Sequence, residues 1–229
     1  MGKAGDESGD LLSVNSADFS TVTATTRLDR IVIVPKFSYK SMIQTSLKRL
    51  TFEEYLTYDD GTDNKYELMD GELVLMPLPL FGQVEILNFI YIAFYLEIQR
   101  LGLDWIVRQG SVGVRTTINK SRIPDVCVIN GEEWRQNSPD SPAVLETALL
   151  LVVEVVSEGS IATDYRRKRT EYANREIPEY WIVDPIAAKV SVLLLDEGFY
   201  DVVEFIDNQK IVSKTFSELD LTAQQILTA

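Results

Sequence analysis

Histidine is absent from the 229 residues, and cysteine occurs once. The first absence excludes Ser-His-Asp and Cys-His catalysis, His-ligated zinc, the HExxH helix and metal motifs built on histidine. An enzyme of this composition works with carboxylates, Lys, Arg, Tyr or a bound cofactor. A lone Cys127 forms no internal disulfide, which sets the expectation of a reducing, cytoplasmic compartment. The first ten residues, MGKAGDESGD, lack the charged-then-apolar pattern of a secretory signal. No unbroken apolar run reaches the roughly 18 residues that a membrane span needs, so no membrane partner is expected.

Positive charge is also scarce: 22 Lys and Arg stand against 35 Asp and Glu, a net charge of −13. Such a balance argues against broad, nonspecific nucleic-acid binding. The bases are clustered, however. Residues 100–122 hold Arg100, Arg108, Arg115, Lys120 and Arg122 against Asp104, a local +4; residues 165–175 hold Arg166, Arg167, Lys168, Arg169 and Arg175 against Glu171, another +4. Setting both islands aside leaves −21 on the rest of the chain. The islands are either a confined anion site or solvated faces with local pairs such as Arg167 with Glu171 at i,i+4.

The length suits one domain with a tail. Residues 1–28 are rich in Ser, Thr, Asp and Gly without sustained period and read as a mobile tail, leaving 29–229 as a single domain. Ile31–Val34 reads as a peripheral strand closed by Pro35. Thr51 with Glu54 forms a capping box, stapled by Leu50 and Tyr55. A hairpin follows, KYEL (65–68) and LVLM (73–76) about the Asp70-Gly71 turn. Val84, Leu87, Tyr91, Phe94 and Ile98 make one stripe of a long buried helix over 83–99. Strands are expected at 105–116 and 123–130 about a polar turn at 117–122, then at 149–157, buried on both faces. A basic helix over 163–175, strands at 179–185, 189–195 and 199–206, and a last helix opened by Ser217 complete the order. The fold class is therefore a mixed α/β or α+β single domain.

Glu154 is the most informative residue. It interrupts LLLVVEVVS, where an unpaired carboxylate would cost several kcal/mol unless paired, protonated, hydrogen-bonded or metal-bound. Asp125, after Pro124, stands at the mouth of the preceding strand, 29 residues earlier. Adjacent strands would bring both carboxylates to one sheet edge, the hard-oxygen surroundings that Mg²⁺ prefers. Asp164, Lys168 and Tyr172 recur at i,i+4 and share a helix face, where a lysine could polarise a water or neutralise a phosphoryl group.

In order, IPDVCVI (123–129), VVEVVS (152–157), Asp164-x3-Lys168-x3-Tyr172 and EYWIVDP (179–185), with the hairpin YELMDGELV (66–74) before them, resemble the restriction-endonuclease-like PD-(D/E)XK superfamily. Within it the match is to the Uma-type putative restriction endonucleases, over about residues 50–225. The resemblance implies a central mixed sheet flanked by helices, and Asp125 and Glu154 as metal ligands with the backbone carbonyl of Val155 as a third. The superfamily's lysine normally follows the glutamate by two residues. Val156 stands there, so Lys168 on the next helix is the displaced candidate. Glu67 matches the opening motif's glutamate and is a further carboxylate near the metal. Where many relatives carry a histidine, this chain has Gly82 and Gln83.

The leading reading is a Mg²⁺-dependent (Mn²⁺ as substitute) endonuclease, a hydrolase acting on DNA, with Arg166, Arg167, Arg169, Arg115 and Arg122 on flanking phosphates. The alternatives are a catalytically inactive nuclease-fold protein serving as a partner-binding or regulatory domain, and a two-carboxylate glycosidase. A homodimer is among the assemblies expected, and Lys168→Ala is expected to spare folding while abolishing cleavage. Removing residues 1–28 should leave the melting temperature nearly unchanged; a drop of several degrees on truncation would show that they dock on the domain.

Overall fold

A computed structural model describes residues 49–229, so the tail expected at 1–28 and the strand expected at Ile31–Val34 lie outside the described residues. Helix α1 (Phe52–Leu56) begins at the expected box: Thr51 Oγ1 accepts from the Glu54 N–H at 3.1 Å, and the Glu54 carboxylate accepts from the Thr51 N–H at 2.9 Å. Strands β1 (Tyr66–Met69) and β2 (Glu72–Leu75) form the hairpin, turned by Asp70 at φ 51° and Gly71 at φ 85°. Two successive positive φ values are what a tight hairpin with right-handed strand twist needs. A Cβ on Gly71 would also lie 2.9 Å from that of Arg49, so the close approach itself demands glycine.

Helix α2 (Phe81–Leu101) ends on Gly102, left-handed at φ 61°. With 21 residues and mean hydropathy 1.3 in its most apolar stretch, it is long and apolar enough to cross a membrane by composition alone. One face, Ile86, Leu87, Ile90, Phe94 and Ile98, is buried on the protein's own sheet.

The strand expected over 105–116 is two strands, β3 (Trp105–Gln109) and β4 (Gly113–Thr117), because Gly110 turns at φ 52° and the chain passes from one sheet to another. The expected turn at 117–122 is shorter, since β5 (Lys120–Arg122) already pairs with β4 and β1. Next come β6 (Val126–Asn130), α3 (Gly131–Arg135) capped by the Asn130 side chain, β7 (Val144–Leu145) and β8 (Leu151–Val155). The basic helix is composite: a π-helix over Thr163–Lys168 runs into α4 (Arg169–Asn174). Strands β9 (Glu179–Asp184), β10 (Lys189–Asp196) and β11 (Phe199–Phe205) follow. The final helix, α5 (Ala223–Leu227), is capped not by Ser217 but by Thr222, whose hydroxyl and Gln225 make their own capping box.

The architecture is mixed α/β, with the strands in two mixed sheets of order β2-β1-β5-β4-β7 and β11-β10-β9-β8-β6-β3. The strands around 123–130 and 149–156 are neighbours: β6 pairs antiparallel with β8, and β8 runs parallel to β9. Alternation sorts their side chains between two cores. Val126, Val128, Leu151 and Val153 face α2 and α5, where Phe94 meets Trp181 edge-on at 5.3 Å. Cys127, Ile129, Val152 and Val156 face Tyr172 of α4. Glu154, between Val153 and Val155, belongs to that second face, and so does Asp125 by the same period of two.

Cys127 sits in this second core, where burial pushes its thiol up to about 12. At pH 8 the thiol is then un-ionised and unreactive. A disulfide reagent should therefore label the native chain only at its unfolding rate, whereas rapid labelling at pH 8 would contradict this burial.

Candidate active site

Glu154 projects from the middle of the six-stranded sheet into the second core and is only 2% exposed. Its neighbours come from the composite helix. The Tyr172 hydroxyl donates to Oε1 at 2.5 Å, and the Lys168 ammonium lies 2.7 Å from Oε2. A hydroxyl-to-carboxylate bond this short is in the charge-assisted range. Asp164 flanks the ammonium on its other side, Oδ1 to Nζ 3.2 Å, close enough for charge attraction yet not aligned as a hydrogen bond. Asp164 and Lys168 mark the π-helical stretch, whose wider turn is a feature often found at functional sites. The face shared by Asp164, Lys168 and Tyr172 thus exists, but Tyr172 holds Glu154 rather than Lys168.

Asp125 reaches the same place from the neighbouring strand. Val126 opposes Val153, so the next pair of the antiparallel register sets Asp125 across from Glu154. Instead of continuing the ladder, Asp125 Oδ2 accepts from the backbone N–H of Val155 at 2.7 Å. In a strand, the N–H and C=O of one residue point to the same side. The Val155 carbonyl accordingly faces the same edge, where Gln83 Nε2 donates to it at 3.3 Å. Gln83 is steadied from its other end, its Oε1 accepting from the Leu80 N–H at 2.9 Å. Nothing in residue spacing announces this contact between the start of α2 and β8; the departure from the histidine pattern is the one signal that position 83 carries.

Glu67 is close but occupied. Oε2 accepts from Arg122 Nη1 at 2.7 Å and Oε1 from the Ile123 N–H at 3.0 Å. Arg122, itself 1% exposed, forks onto Glu171 of α4 through Nε and Nη2 at 2.6 and 2.7 Å. This corrects two expectations. Arg122 is an internal clamp without surface for a phosphate, and Glu171 pairs with Arg122 rather than with Arg167. Arg115 is also spent, stacked 4.0 Å over Phe52 and bonded to Glu146 at 2.8 Å. Arg169 donates to the Tyr200 carbonyl at 2.6 Å. Of the five arginines expected on phosphates, Arg166 and Arg167 alone are exposed and make no side-chain hydrogen bond or ion pair among the described residues.

Charge dominates the site. Burial raises the Glu154 carboxyl well above its ordinary range, with Lys168 opposing and the Asp125, Asp164 and Glu67 charges adding to the rise. Burial likewise raises Asp125, against the pull of Lys168 and the Val155 N–H. Burial alone would lower the Lys168 ammonium, but Glu154, Glu67, Asp164 and Asp125 outweigh it and raise its pKa. Two buried carboxylates, Glu154 and Asp164, and the half-buried Asp125 thus share one ammonium, with Asp164 Oδ1 lacking any hydrogen bond. Such a deficit of positive charge suits a divalent cation. No preformed cage of three or more acid, cysteine or histidine ligands occurs among the described residues. Two carboxylates and a carbonyl fit Mg²⁺, which takes one or two protein carboxylates and keeps several waters. Each Glu154 oxygen retains a second lone pair for that purpose.

Residues 52–224 match the family model Uma2, described as putative restriction endonuclease. Among solved structures the chain is similar to a crystal structure, from Anabaena variabilis, of a putative nuclease belonging to DUF820: TM-score 0.65, 16% identity, covering 78% of this chain and 98% of that one. At that identity the likeness speaks for the fold. No curated protein matches the chain.

Because Lys168 is buried among acids, the expectation that Lys168→Ala spares folding gives way. Removing one partner of a buried pair strands the other charge, at a cost of about 3–5 kcal/mol. Urea unfolding of Lys168→Ala should show a loss of that size; a loss below about 1 kcal/mol would mean that Glu154 is not held as an ion.

Proposed function

We propose that this chain, which belongs to the Uma2 family of putative restriction endonucleases, hydrolyses phosphodiester bonds in DNA with the help of Mg²⁺. The observation that carries the reading is Glu154 in the second core with Lys168 at 2.7 Å, beside Asp125 on the adjoining strand. Asp125, Glu154 and the Val155 carbonyl would hold the ion. When bound, such an ion supplies Lewis acidity and neutralises charge on the phosphoryl group.

The chain's own residues do the rest. Lys168 works as a fixed cation: its raised pKa keeps it protonated, so it acts as donor and counter-charge, not as a base. Of its three N–H donors, one is directed at Glu154, leaving capacity for a phosphoryl oxygen or an attacking water. Tyr172 sets the rotamer of Glu154, and Asp164 balances the ammonium from behind. Asp125, tied to the Val155 N–H, fixes the edge of β8 on which the carbonyl lies. Glu67 acts at one remove, by holding Arg122 and through it Glu171. In the net reaction, water adds to phosphorus and one P–O ester bond breaks, releasing a phosphomonoester and an alcohol.

A supercoiled plasmid incubated with the full chain and Mg²⁺ or Mn²⁺ should be nicked or linearised. EDTA should stop cleavage, and Glu154→Gln should slow it roughly 100-fold or more, the scale of losing one fixed electrostatic group. Cleavage that survives either treatment would overturn the reading, and a folded chain without any metal-dependent cleavage would favour the inactive, partner-binding alternative.

A further inference from the structure

The second basic island ends in a cleft that the mechanism above does not use. Thr117 at the end of β4 and Lys120 at the start of β5, with Arg166, Arg167, Thr170 and Asn174 from the composite helix, line a space of about 480 Å³. Its two acids are committed. Glu171 is forked by Arg122, and Asp70 lies 3.4 Å from the Lys120 ammonium. The Arg166 and Arg167 guanidiniums remain, exposed and without a partner among the described residues, in a chain of net charge −13.

Lys120 is itself paired, 3.4 Å from Asp70 and 3.7 Å from Glu171, and the Thr170 hydroxyl donates to the Arg166 carbonyl. The two free guanidiniums, beside Thr117 and Asn174, suit an ionised oxyanion, since the arginine fork matches phosphate oxygens two at a time. The volume lies within the roughly 300–1,000 Å³ of ligand pockets, so the phosphate arrives attached to something. No aromatic side chain lines the cleft, and a base would have nothing to stack on. The sugar–phosphate backbone is what fits. Arg167 directly precedes Lys168, so one helical stretch carries both the exposed cleft arginines and the buried Lys168.

We propose that this cleft binds an internucleotide phosphate of the nucleic-acid strand other than the one that is cleaved. The inference rests on the nuclease reading for the identity of the strand, and on the cleft alone for the phosphate. Arg122, Arg115 and Arg169 take no part, being held inside the protein.

The test is binding of a fluorescent 20-nucleotide DNA duplex to the full chain in EDTA, where cleavage is blocked, across a series of salt concentrations. Arg166→Ala/Arg167→Ala should bind at least tenfold more weakly, with a salt slope shallower by about 0.9 for each phosphate no longer neutralised. Arg166→Lys/Arg167→Lys should recover part of the affinity, and unchanged melting temperatures would show that both variants fold. Equal affinity and equal slope in the alanine variant overturn the subsite, whatever the plasmid assay gives. Titration with inorganic phosphate separates the sources: a phosphate heat that vanishes in the variant while duplex affinity stays unchanged would assign the cleft to a free anion and overturn the proposal. Weakened duplex binding in a chain that never cleaves would instead leave the phosphate site standing and remove the nuclease reading.

Discussion

A carboxylate in the middle of an apolar strand must be met by opposite charge, and the geometry around Glu154 follows from that requirement. Lys168 can reach it only from the helix packed on the sheet, and Tyr172 only from the next turn of that helix. Both side chains give up water to do so. A buried ion pair seldom adds net stability, because desolvating two ions offsets their attraction; well-packed apolar residues would serve folding as well or better. Stability alone therefore does not account for Glu154, Asp164 and Lys168 standing together. The proposed active site would, since an oriented ion acts more strongly at low dielectric than in water.

The same helix is gripped from the other sheet. Arg122 on β5 holds Glu67 on β1 and Glu171 on α4, one residue before Tyr172. The link Glu67–Arg122–Glu171 and the link Tyr172–Glu154 thus fix adjacent helix positions against two sheets. Loosening either would let the helix slide and carry Lys168 away from Glu154. Glu67 is therefore better understood as the anchor of this brace than as another ligand, its two oxygens already accepting from Arg122 and the Ile123 N–H.

Much of this was legible in the chain. Glu154 stood out because hydrophobic runs punish an ion, and Asp125 because a Pro-Asp pair at a strand mouth fell 29 residues before it. The capping box at Thr51 and the Asp70-Gly71 turn were visible because they are local chemistry. What stayed hidden depends on partners far apart in sequence. Arg122 and Glu171 are 49 residues apart, so Arg122 read as surface charge although it is among the most buried side chains. The break at Gly110 was missed because alternation continues across it while the chain changes sheets. The π-turn was equally silent, since i,i+4 spacing looks the same in sequence whichever hydrogen-bond ladder the backbone adopts.

The acidic composition then takes on a narrower meaning. At physiological ionic strength charges are screened beyond about 8 Å, so a phosphate near Arg166 and Arg167 feels those guanidiniums far more than acids on distant faces. Net charge governs the approach. An acidic body gains no long-range steering toward DNA, and association should be slower than for a basic protein. Once the strand is seated, short-range pairing decides, and there the balance is local: most bases of the first island are tied to acids or stacked on rings, while Arg166 and Arg167 are left facing solvent. On the proposed reading, Arg166 and Arg167 on the Lys168 helix are where, among the described residues, a phosphate would find unpaired guanidiniums on the surface. An acidic chain and a nucleic-acid substrate are thereby reconciled: contact would be local rather than spread over the surface.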